Sequence, residues 1–257
     1  MIVKNIIEAE NVNKVYRIGR KNTQHVLKDV NLQVKEGEFV AVMGASGSGK
    51  STLLYSLSGM DRPTAGRVDF CGENISALSE DALAGLRLER MGFIFQQSRL
   101  LRNLNIFDNI VLASYLRKQE ERPAINQRAA GLMERMGIPE LADKEITEAS
   151  GGQLQRVSIC RALMNRPEIL FGDEPTGALN SRAAMEVMEL LAEINRTGTA
   201  IMLVTHDPRV AARTERVLFM SDGQIVGEMK LGKFCDTAED LKERERRMSG
   251  WLGEMGF

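Results

Sequence analysis

Short apolar runs along this chain predict buried β-strands. Four of them, FVAVMG, EILFGD, AIMLV and RVLFM, lie at residues 39–44, 168–173, 200–204 and 216–220. Each is short and carries β-branched or aromatic side chains, which is typical of a buried strand. Between the second and third runs, one helical face is formed by Ala184, Val187, Leu191 and Ile194. Strands that alternate with a helix in this way predict an α/β fold.

Helical patterns follow the first run and fill the middle of the chain. After residue 44, one helical face carries Leu53, Leu54, Leu57 and Met60. Helical signals dominate from about residue 79 to residue 166, where another face carries Ile106, Ile110 and Ala113. Pro123 stands where a helix can begin. Near the end, SDGQIV from Ser221 contains an Asp-Gly turn signal between strands. The patterns predict an α/β core interrupted by a helical insertion.

Composition excludes several classes of protein. The 257 residues contain 34 basic and 35 acidic side chains, a net charge of −1, which argues against a broad nucleic-acid-binding surface. The three cysteines form no C-x-x-C pair, so neither zinc nor a disulfide framework is expected, and a reducing cytoplasm fits. The N-terminal residues lack the apolar core of a signal peptide. No run reaches the roughly 18 apolar residues that a membrane span needs, so we expect membrane contact only through a partner.

A glycine-rich segment follows the first predicted strand and opens the first predicted helix. GASGSGKST, residues 44–52, fits G-x-x-x-x-G-K-[ST] in the context that this motif requires. Its residues are Gly44, Ala45, Ser46, Gly47, Ser48, Gly49, Lys50, Ser51 and Thr52. Backbone N–H groups can surround a phosphate there, with Lys50 adding charge and Ser51 offering a hydroxyl to Mg²⁺. The alternative is a glycine-rich turn with a solvated lysine.

Two acidic residues end the second apolar run. Asp173 and Glu174 follow ILFG directly, and a carboxylate at the end of a buried strand needs a cation or a donor. Asp173 is predicted to hold magnesium, and Glu174 to polarise the attacking water. The alternative is a strand that ends in a solvated turn at Pro175.

Three further candidates carry weak signals by themselves. His206 follows the AIMLV run, Gln96 follows the apolar run FIF, and Tyr16 lies in KVYRIG. A single histidine is more often structural than catalytic, a glutamine after an apolar run is usually a loop residue, and a tyrosine near a strand end usually packs in the core. The alternative role for the tyrosine is to stack on an adenine ring.

The segment EASGGQLQRVSICRAL, residues 148–163, begins a predicted helix. Ser150 and Gln153 form a capping box, in which each side chain bonds the backbone N–H of the other residue. Two glycines in the first helical turn each cost about 0.5–1 kcal/mol relative to alanine. We therefore expect some group to approach the backbone of Gly151 and Gly152 closely.

Five motifs occur in one order, and together they make the chain resemble the ATPase subunit of ABC transporters over essentially its whole length. GASGSGKST is similar to the Walker A motif, FIFQQ to the Q-loop, ASGGQ to the signature, ILFGDEP to Walker B and THD to the switch histidine. The resemblance implies a P-loop NTPase fold with a RecA-like core, an antiparallel β subdomain and a helical insertion. It implies an ATPase domain at residues 1–235, its helical subdomain at about 97–166, and a helical extension at 236–257.

The resemblance also implies roles for individual residues. ATP and Mg²⁺ are the expected cofactors, with Ser51, Gln96 and Asp173 near the metal. Tyr16 is expected to stack on adenine, Gln96 to couple to the membrane domain, Glu174 to act as catalytic base, and His206 to sense the γ-phosphate.

Family members dimerise head to tail, which implies a role for the two glycines. Ser150, Gly151, Gly152 and Gln153 are expected to meet the γ-phosphate of ATP bound by a second copy. Ala149 replaces the usual leucine, and Asn180 replaces the usual aspartate. Both departures affect the expected strength of coupling between the two copies and leave ATP binding intact.

The sequence segments next to the motifs are similar to those of one branch of the family. GMDRPTAGRV and EPTGAL resemble the branch that serves macrolide export, lipoprotein release and resistance to antimicrobial peptides such as bacitracin and lantibiotics. GALNS and the charged C-terminal extension favour the peptide-resistance type. The implied partner is a permease, with the ATPase on the cytoplasmic face of the membrane. The alternative is a cell-division type of ATPase that signals through a similar permease without transport.

Two rival classes of ATPase carry related motifs. DNA-repair or chromosome-structure ATPases need a long coiled coil between Walker A and the signature, and residues 50–150 are too few to hold one. Ribosome-associated ATPases normally carry two such domains, and here there is one.

Two segments have open interpretations. In the C-terminal extension, Leu241, Met248 and Leu252 are predicted to line one helical face, with residues 243–247 on the solvated side. This helix either packs on its own domain or docks on the permease or the second ATPase copy. By the family's pattern, residues 98–110 after the Q-loop form a groove for a permease helix, although the same apolar residues could pack in the core.

Overall fold

A computed structural model describes residues 4–19, 22–235 and 237–257 of the chain. The described strands form two sheets. The first is antiparallel with the order β2-β1-β4-β5. Its strands are β1 (Asn5–Ile18), β2 (Asn22–Lys35), β4 (Ala65–Phe70) and β5 (Glu73–Asn74). This sheet is the antiparallel β subdomain that the resemblance implies.

The second sheet has six strands in the order β10-β9-β3-β8-β7-β6. Its strands are β3 (Phe39–Met43), β6 (Met91–Phe95), β7 (Ile169–Asp173), β8 (Ala200–Val204), β9 (Arg216–Ser221) and β10 (Gln224–Lys230). All its pairings are parallel except that of β10 with β9. The four apolar runs are confirmed as strands. Strand β6 lies inside the stretch whose signals were mainly helical, and it ends one residue before Gln96.

Helices surround the parallel sheet. They are α1 (Lys50–Leu57), α2 (Glu80–Arg90), α3 (Ile106–Arg117), α4 (Arg122–Arg135), α5 (Gly151–Leu163), α6 (Ser181–Arg196), α7 (Pro208–Ala211) and α8 (Ala238–Glu254). Pro123 lies in the first turn of α4, as predicted. Met60 does not belong to the buried face of α1, because that helix ends at Leu57 and the Met60 side chain is exposed.

The parallel sheet is buried on both faces. Along β3, Val40 and Val42 join one hydrophobic cluster, whereas Ala41 and Met43 join the other. Burial on both faces explains why the strands of this sheet are continuous apolar runs without alternating polar positions. The carboxyl ends of these strands are where the motif residues emerge.

Helix α8 packs on its own domain, which was the first of its two interpretations. Met248 and Leu252 are buried in the same cluster as β9, and the Trp251 ring lies 6.1 Å from the Phe219 ring in an edge-to-face contact. Arg244 is also buried, with 2% of its surface exposed. The prediction that residues 243–247 all face solvent is therefore wrong at Arg244.

The burial of Arg244 has a clear physical reason. Its guanidinium donates hydrogen bonds to the carbonyl oxygens of Thr214, Gly232 and Lys233 and to the carboxylate of Asp240. A buried charge is tolerated when it is paired and hydrogen-bonded in this way. The predicted boundary at residue 236 lies outside the described residues, and α8 begins two positions later.

Within the described ranges, we find no helix that is long and apolar enough to cross a membrane.

Candidate functional site

The glycine-rich loop connects β3 to α1 and is held by the β9–β10 hairpin. The N–H of Gly223, in the hairpin turn, donates to the carbonyl oxygen of Ser48 at 3.1 Å. Gly44 has a φ of 145°, and a Cβ there would lie 2.1 Å from the carbonyl oxygen of Met220. Gly49, the residue before the helix, is left-handed with a φ of 102°. Side chains are therefore excluded at Gly44 and strained at Gly49, which keeps the loop backbone bare for an anion.

Lys50 places its positive charge inside this loop. Its Nζ donates to the carbonyl oxygens of Gly44 at 2.9 Å and Ala45 at 2.8 Å, and the residue is buried. Burial lowers the pKa of Lys50, while the charges of Glu174 and Asp173 oppose that shift. The amine is pre-positioned to meet a phosphate group.

Ser51 and Asp173 meet, as the two motifs predicted. The hydroxyl of Ser51 donates to Oδ1 of Asp173 at 2.7 Å, which joins the first turn of α1 to the end of β7. Hydroxyl and carboxylate oxygens are ligands that Mg²⁺ prefers. The donor set therefore fits magnesium.

Tyr55 is part of this cluster, and the sequence motifs did not reveal it. Its phenol donates to Oδ2 of Asp173 at 2.5 Å. Burial, followed by the bond to Asp173, raises the pKa of Tyr55 to about 12. One signal was present, because Tyr55 lies four residues after Ser51 and so shares its helix face.

Glu174 and His206 lie side by side. Nδ1 of His206 is 3.3 Å from Oε1 of Glu174. Glu174 has a left-handed backbone with a φ of 48°, and its N–H donates to the carbonyl oxygen of Val204 at 3.1 Å. A non-glycine residue in this conformation is strained and persists only where the surrounding structure holds it. Such residues are typical of functional sites.

The amide of Gln96 reaches the same place from β6. A Cβ built on Gly177 would lie 2.9 Å from Nε2 of Gln96 and 3.0 Å from Oε2 of Glu174. Both side chains therefore converge on Gly177, and the structure brings Gln96 beside Glu174.

Residues of the glycine-rich loop line one cavity of about 550 Å³ together with Glu174 and His206, and we call it the phosphate pocket. It is lined by Gln24, Val26, Ser46, Gly47, Gly49, Lys50, Ser51, Thr52, Glu174 and His206. Its volume lies in the usual range for small-molecule sites, roughly 300–1,000 Å³. Gln24 and Val26 alternate along β2, and no sequence motif marked them.

Tyr16 lies beside this pocket but not in its lining. It pairs with Gln24, a lining residue, across β1 and β2. Its hydroxyl also donates to Asp61, and about a third of the residue is exposed. The ring is accessible to a ligand that extends from the phosphate pocket.

Ser150 caps α5 as the sequence predicted. Its N–H donates to Oε1 of Gln153 at 2.9 Å, and its Oγ accepts from the N–H of Gln153 at 3.4 Å, which completes the capping box. The backbone of Gly151 is open, since a Cβ there would meet no atom closer than 3.8 Å. This terminus can accept an anion.

The cap belongs to a second cavity of about 510 Å³, which we call the signature cavity. Its lining includes Ser150, Gly151, Gly152, Gln153, Arg156, Leu179, Asn180 and Glu186. No lining residue is common to the two cavities. The structure therefore brings residues 44–52, 96, 173, 174 and 206 together and leaves residues 150–153 of the same chain elsewhere.

The two departures from the family pattern differ in their surroundings. Asn180 caps α6, accepting from the N–H of Ala183 at 2.9 Å, and it lines the signature cavity. Ala149 is partly buried against the core, where its small side chain offers little apolar surface. Asn180 thus keeps the capping bond without the negative charge of an aspartate.

The polar face of α5 holds the loop that follows Gln96. Gln155 donates to the carbonyl oxygen of Phe95, and Ser158 to that of Ser98, each at 3.2 Å. Arg161 donates to Ser98 at 2.7 Å and to Arg99 at 2.9 Å. Burial lowers the pKa of the Arg161 guanidinium. The signature helix and the Q-loop are therefore tied together.

A third cavity, of about 400 Å³, opens beside this loop, and we call it the docking groove. Its lining includes Met60, Arg87, Phe93, Phe95, Arg99, Ala113 and Arg161, and none of its described lining residues is acidic. Residues 98–110 contribute Arg99 to it, whereas Ile106 and Ile110 are buried in the core. The aromatic side chains of β6 supply the apolar surface that was expected from residues 98–110.

Comparison with known proteins places the chain in a family. The sequence profile of the ABC transporter family matches residues 27–177. The macrolide export ATP-binding/permease protein MacB of Hahella chejuensis is 39% identical, over 96% of this chain and 39% of that protein. The pyoverdine export ATP-binding/permease protein PvdT of Pseudomonas syringae is 42% identical, over 95% of this chain and 36% of that protein. The chain therefore spans less than half the length of these relatives.

Solved structures of similar proteins share the fold. The ATP-binding cassette MJ0796, in a dimeric post-hydrolysis state with ADP and Pi, is 37% identical with a TM-score of 0.83, covering 89% of this chain and 100% of that one. The protein cbiO1 of Clostridium perfringens, part of an ABC transporter complex, is 28% identical with a TM-score of 0.79, covering 98% and 97%. The profile match and these similarities show that the chain belongs to the ABC transporter family, as an ATP-hydrolysing domain.

Proposed function

We propose that this chain is the ATP-hydrolysing subunit of an exporter-type ABC transporter, which couples ATP binding and hydrolysis to a membrane-spanning permease. The observation that carries the proposal is that Lys50 and Ser51 line the phosphate pocket and that Ser51 donates a hydrogen bond to Asp173. MacB and PvdT are both named ATP-binding/permease proteins, which supports a permease as the partner. The chain would then lie at the cytoplasmic face of the membrane, held there by the permease.

The residues of the phosphate pocket have distinct roles in this proposal. The glycine-rich loop and Lys50 bind the β- and γ-phosphates of ATP, and the Tyr16 ring stacks on the adenine. Ser51 and Asp173, with the amide of Gln96, would hold Mg²⁺, which would neutralise charge on the phosphates. These residues bind and orient the nucleotide for attack by water.

Glu174 and His206 act on the water and the γ-phosphate. Glu174 accepts the proton of the attacking water, as a carboxylate within hydrogen-bonding reach can do. His206 orients that carboxylate through Nδ1, 3.3 Å away, and its other ring nitrogen is left for the γ-phosphate.

We propose that the signature cavity completes the site of a second copy of the chain. Ser150, Gly151, Gly152 and Gln153 present the positive end of α5 but lie outside the phosphate pocket of their own chain. Two chains arranged head to tail would bring each signature to the other's ATP. The structure of MJ0796, which is 38% identical to this chain, is dimeric, and this supports a second copy as the partner.

The proposal is tested by phosphate release from ATP by the purified chain, with Mg²⁺ and with EDTA. We expect release that requires Mg²⁺ and that rises when the cognate permease is added in lipid vesicles. A chain that binds ATP tightly but releases phosphate at the uncatalysed rate, with and without permease, would contradict it.

The substrate is a finer question. We propose a role in resistance to antimicrobial peptides, or in release of a lipid-associated substrate, on the basis of the GALNS segment and the C-terminal helix. Purification of the chain from membranes identifies the multi-span protein that accompanies it. A permease with a large extracytoplasmic domain, whose loss sensitises cells to bacitracin or a lantibiotic, would support this role. A cell-division phenotype without transport would support the signalling alternative instead.

We propose that the docking groove receives a short cytoplasmic helix of the permease. The apolar Phe93 and Phe95 form its surface and Arg99 its rim. In a background that lacks the exposed Cys235, a cysteine at position 99 or 103 should crosslink to cysteines in the permease loops. A cysteine at Arg67, on the antiparallel sheet, is the control and should not crosslink. Crosslinks at Arg67 alone would contradict the placement.

A further inference from the structure

Tyr55 and Ser51 hold opposite oxygens of one carboxylate. Ser51 donates to Oδ1 of Asp173 at 2.7 Å, and Tyr55 donates to Oδ2 at 2.5 Å. Both donors project from the same face of α1, and Ser51 lines the phosphate pocket, whereas Tyr55 does not. Two fixed bonds restrict rotation of the carboxylate, so Oδ1 is kept on the side of the phosphate pocket.

We propose that Tyr55 is a positioning residue that sets the orientation of Asp173 for magnesium. This inference rests on the proposed function, because Asp173 must hold magnesium. Without the hydroxyl of Tyr55, the carboxylate would keep only the bond from Ser51 and would be free to rotate.

The test removes the phenol hydroxyl of Tyr55. Binding of AMP-PNP, a non-hydrolysable ATP analogue, is measured by calorimetry on the full chain with Mg²⁺ and with EDTA, and the ratio of the two affinities reports the magnesium contribution. Hydrogen-bond partners of metal ligands typically affect metal affinity about 10- to 100-fold, so Tyr55→Phe should lower this ratio about tenfold. Its affinity in EDTA should equal that of the wild type.

The chain offers a matched control. Tyr115 also donates a hydrogen bond of 2.5 Å, to Asn126, but between α3 and α4. Tyr115→Phe should leave the magnesium ratio unchanged. If Tyr55→Phe leaves the ratio within twofold of the wild type, Tyr55 does not position Asp173 and the inference is overturned.

These outcomes are distinct from failure of the proposed function. A wild-type chain that does not bind AMP-PNP, or binds it without any effect of Mg²⁺, would contradict the ATPase proposal itself. Normal magnesium-dependent binding with an unaffected Tyr55→Phe variant would contradict the inference about Tyr55 alone.

Discussion

Glu174 and His206 face each other at the phosphate pocket, with 3.3 Å between Oε1 of the carboxylate and Nδ1 of the imidazole. The Glu174 side chain is largely covered, whereas the imidazole is mostly exposed. A covered base beside an exposed partner fits a site that is completed only when another surface closes over it. Glu174 follows β7 and His206 follows β8. Because these two strands are neighbours in the parallel sheet, the two side chains meet at its carboxyl edge.

Replacing Glu174 with glutamine should stop hydrolysis and preserve nucleotide binding. The amide keeps the shape of the side chain but cannot accept a proton, so we expect phosphate release to fall about 100- to 10,000-fold. The affinity for ATP should change little, because Lys50 and the loop backbone remain. Glu193→Gln, at an exposed position on α6, is the matched control and should retain full activity. An active Glu174→Gln variant would show that another group serves as the base.

The stalled variant should reveal the dimer. If ATP is shared between a phosphate pocket and a partner's signature cavity, Glu174→Gln should dimerise with Mg-ATP and the wild type should be mainly monomeric. Adding Ser150→Arg places a bulky side chain against the expected phosphate position, so the double variant should bind ATP as a monomer. Light scattering coupled to chromatography measures the mass. A dimer that persists in the double variant would mean that Ser150 is only a helix cap.

Lys50→Ala should weaken ATP binding and leave the fold intact. A hydrogen bond to a charged group contributes about 1.5–3 kcal/mol, so we expect affinity to fall roughly 10- to 100-fold. Titration with a fluorescent ATP analogue measures it, and circular dichroism monitors the fold. Lys144→Ala, which removes only an exposed ion pair with Glu148, is the control. Equal affinities for both variants would contradict the assignment of the phosphate loop.

Arg244→Gln should destabilise the whole domain. It removes a buried charge that binds three carbonyl groups and Asp240, which we expect to cost about 3 kcal/mol. For a domain of this size, the melting temperature should fall by roughly 6–12 °C. Arg246 lies on the same helix and forms an exposed ion pair with Glu243. Arg246→Gln should therefore change the melting temperature very little. Similar melting temperatures for both variants would contradict the burial of Arg244.

The cysteines should differ in reactivity. Burial, followed by the bond to Glu168, raises the pKa of Cys71 to about 11, and burial raises the pKa of Cys160 to about 12. Cys235 is exposed. Because the thiolate is the reactive form, a disulfide reagent at neutral pH should label one thiol per native chain and three after unfolding. Cys235→Ser should abolish the native reaction, and rapid labelling of that variant would contradict this assignment.

Sequence patterns predicted most of the parallel sheet because its strands are buried on both faces. Val40 and Ala41 point to opposite clusters, yet both positions must be apolar, so the run was easy to find. Strand β6 was harder because it lies at the edge of the sheet, between helices, where two of its five residues are only partly buried. The phosphate loop was found because its glycines follow a fixed spacing that few other structures require.

Contacts between distant segments were not available from local patterns. Arg244 lies among charged residues that suggest a solvated face, and its burial depends on carbonyl groups of Thr214, Gly232 and Lys233. Tyr55 shows only an apolar helical context, while its partner Asp173 lies 118 residues away. Whether a polar side chain is buried depends on which distant segments pack against it, and the periodicity of the local sequence does not contain this information.

The separation of the phosphate pocket from the signature cavity has a consequence for inheritance. In a head-to-tail dimer, each ATP site takes one half from each chain. A mixed dimer of one Lys50→Ala chain and one Ser150→Arg chain would therefore collect both lesions in one site and leave the other entirely wild type. Two alleles that each fail alone would complement each other in the same cell. One allele carrying both substitutions would instead inactivate both sites of every dimer that it forms with a wild-type chain.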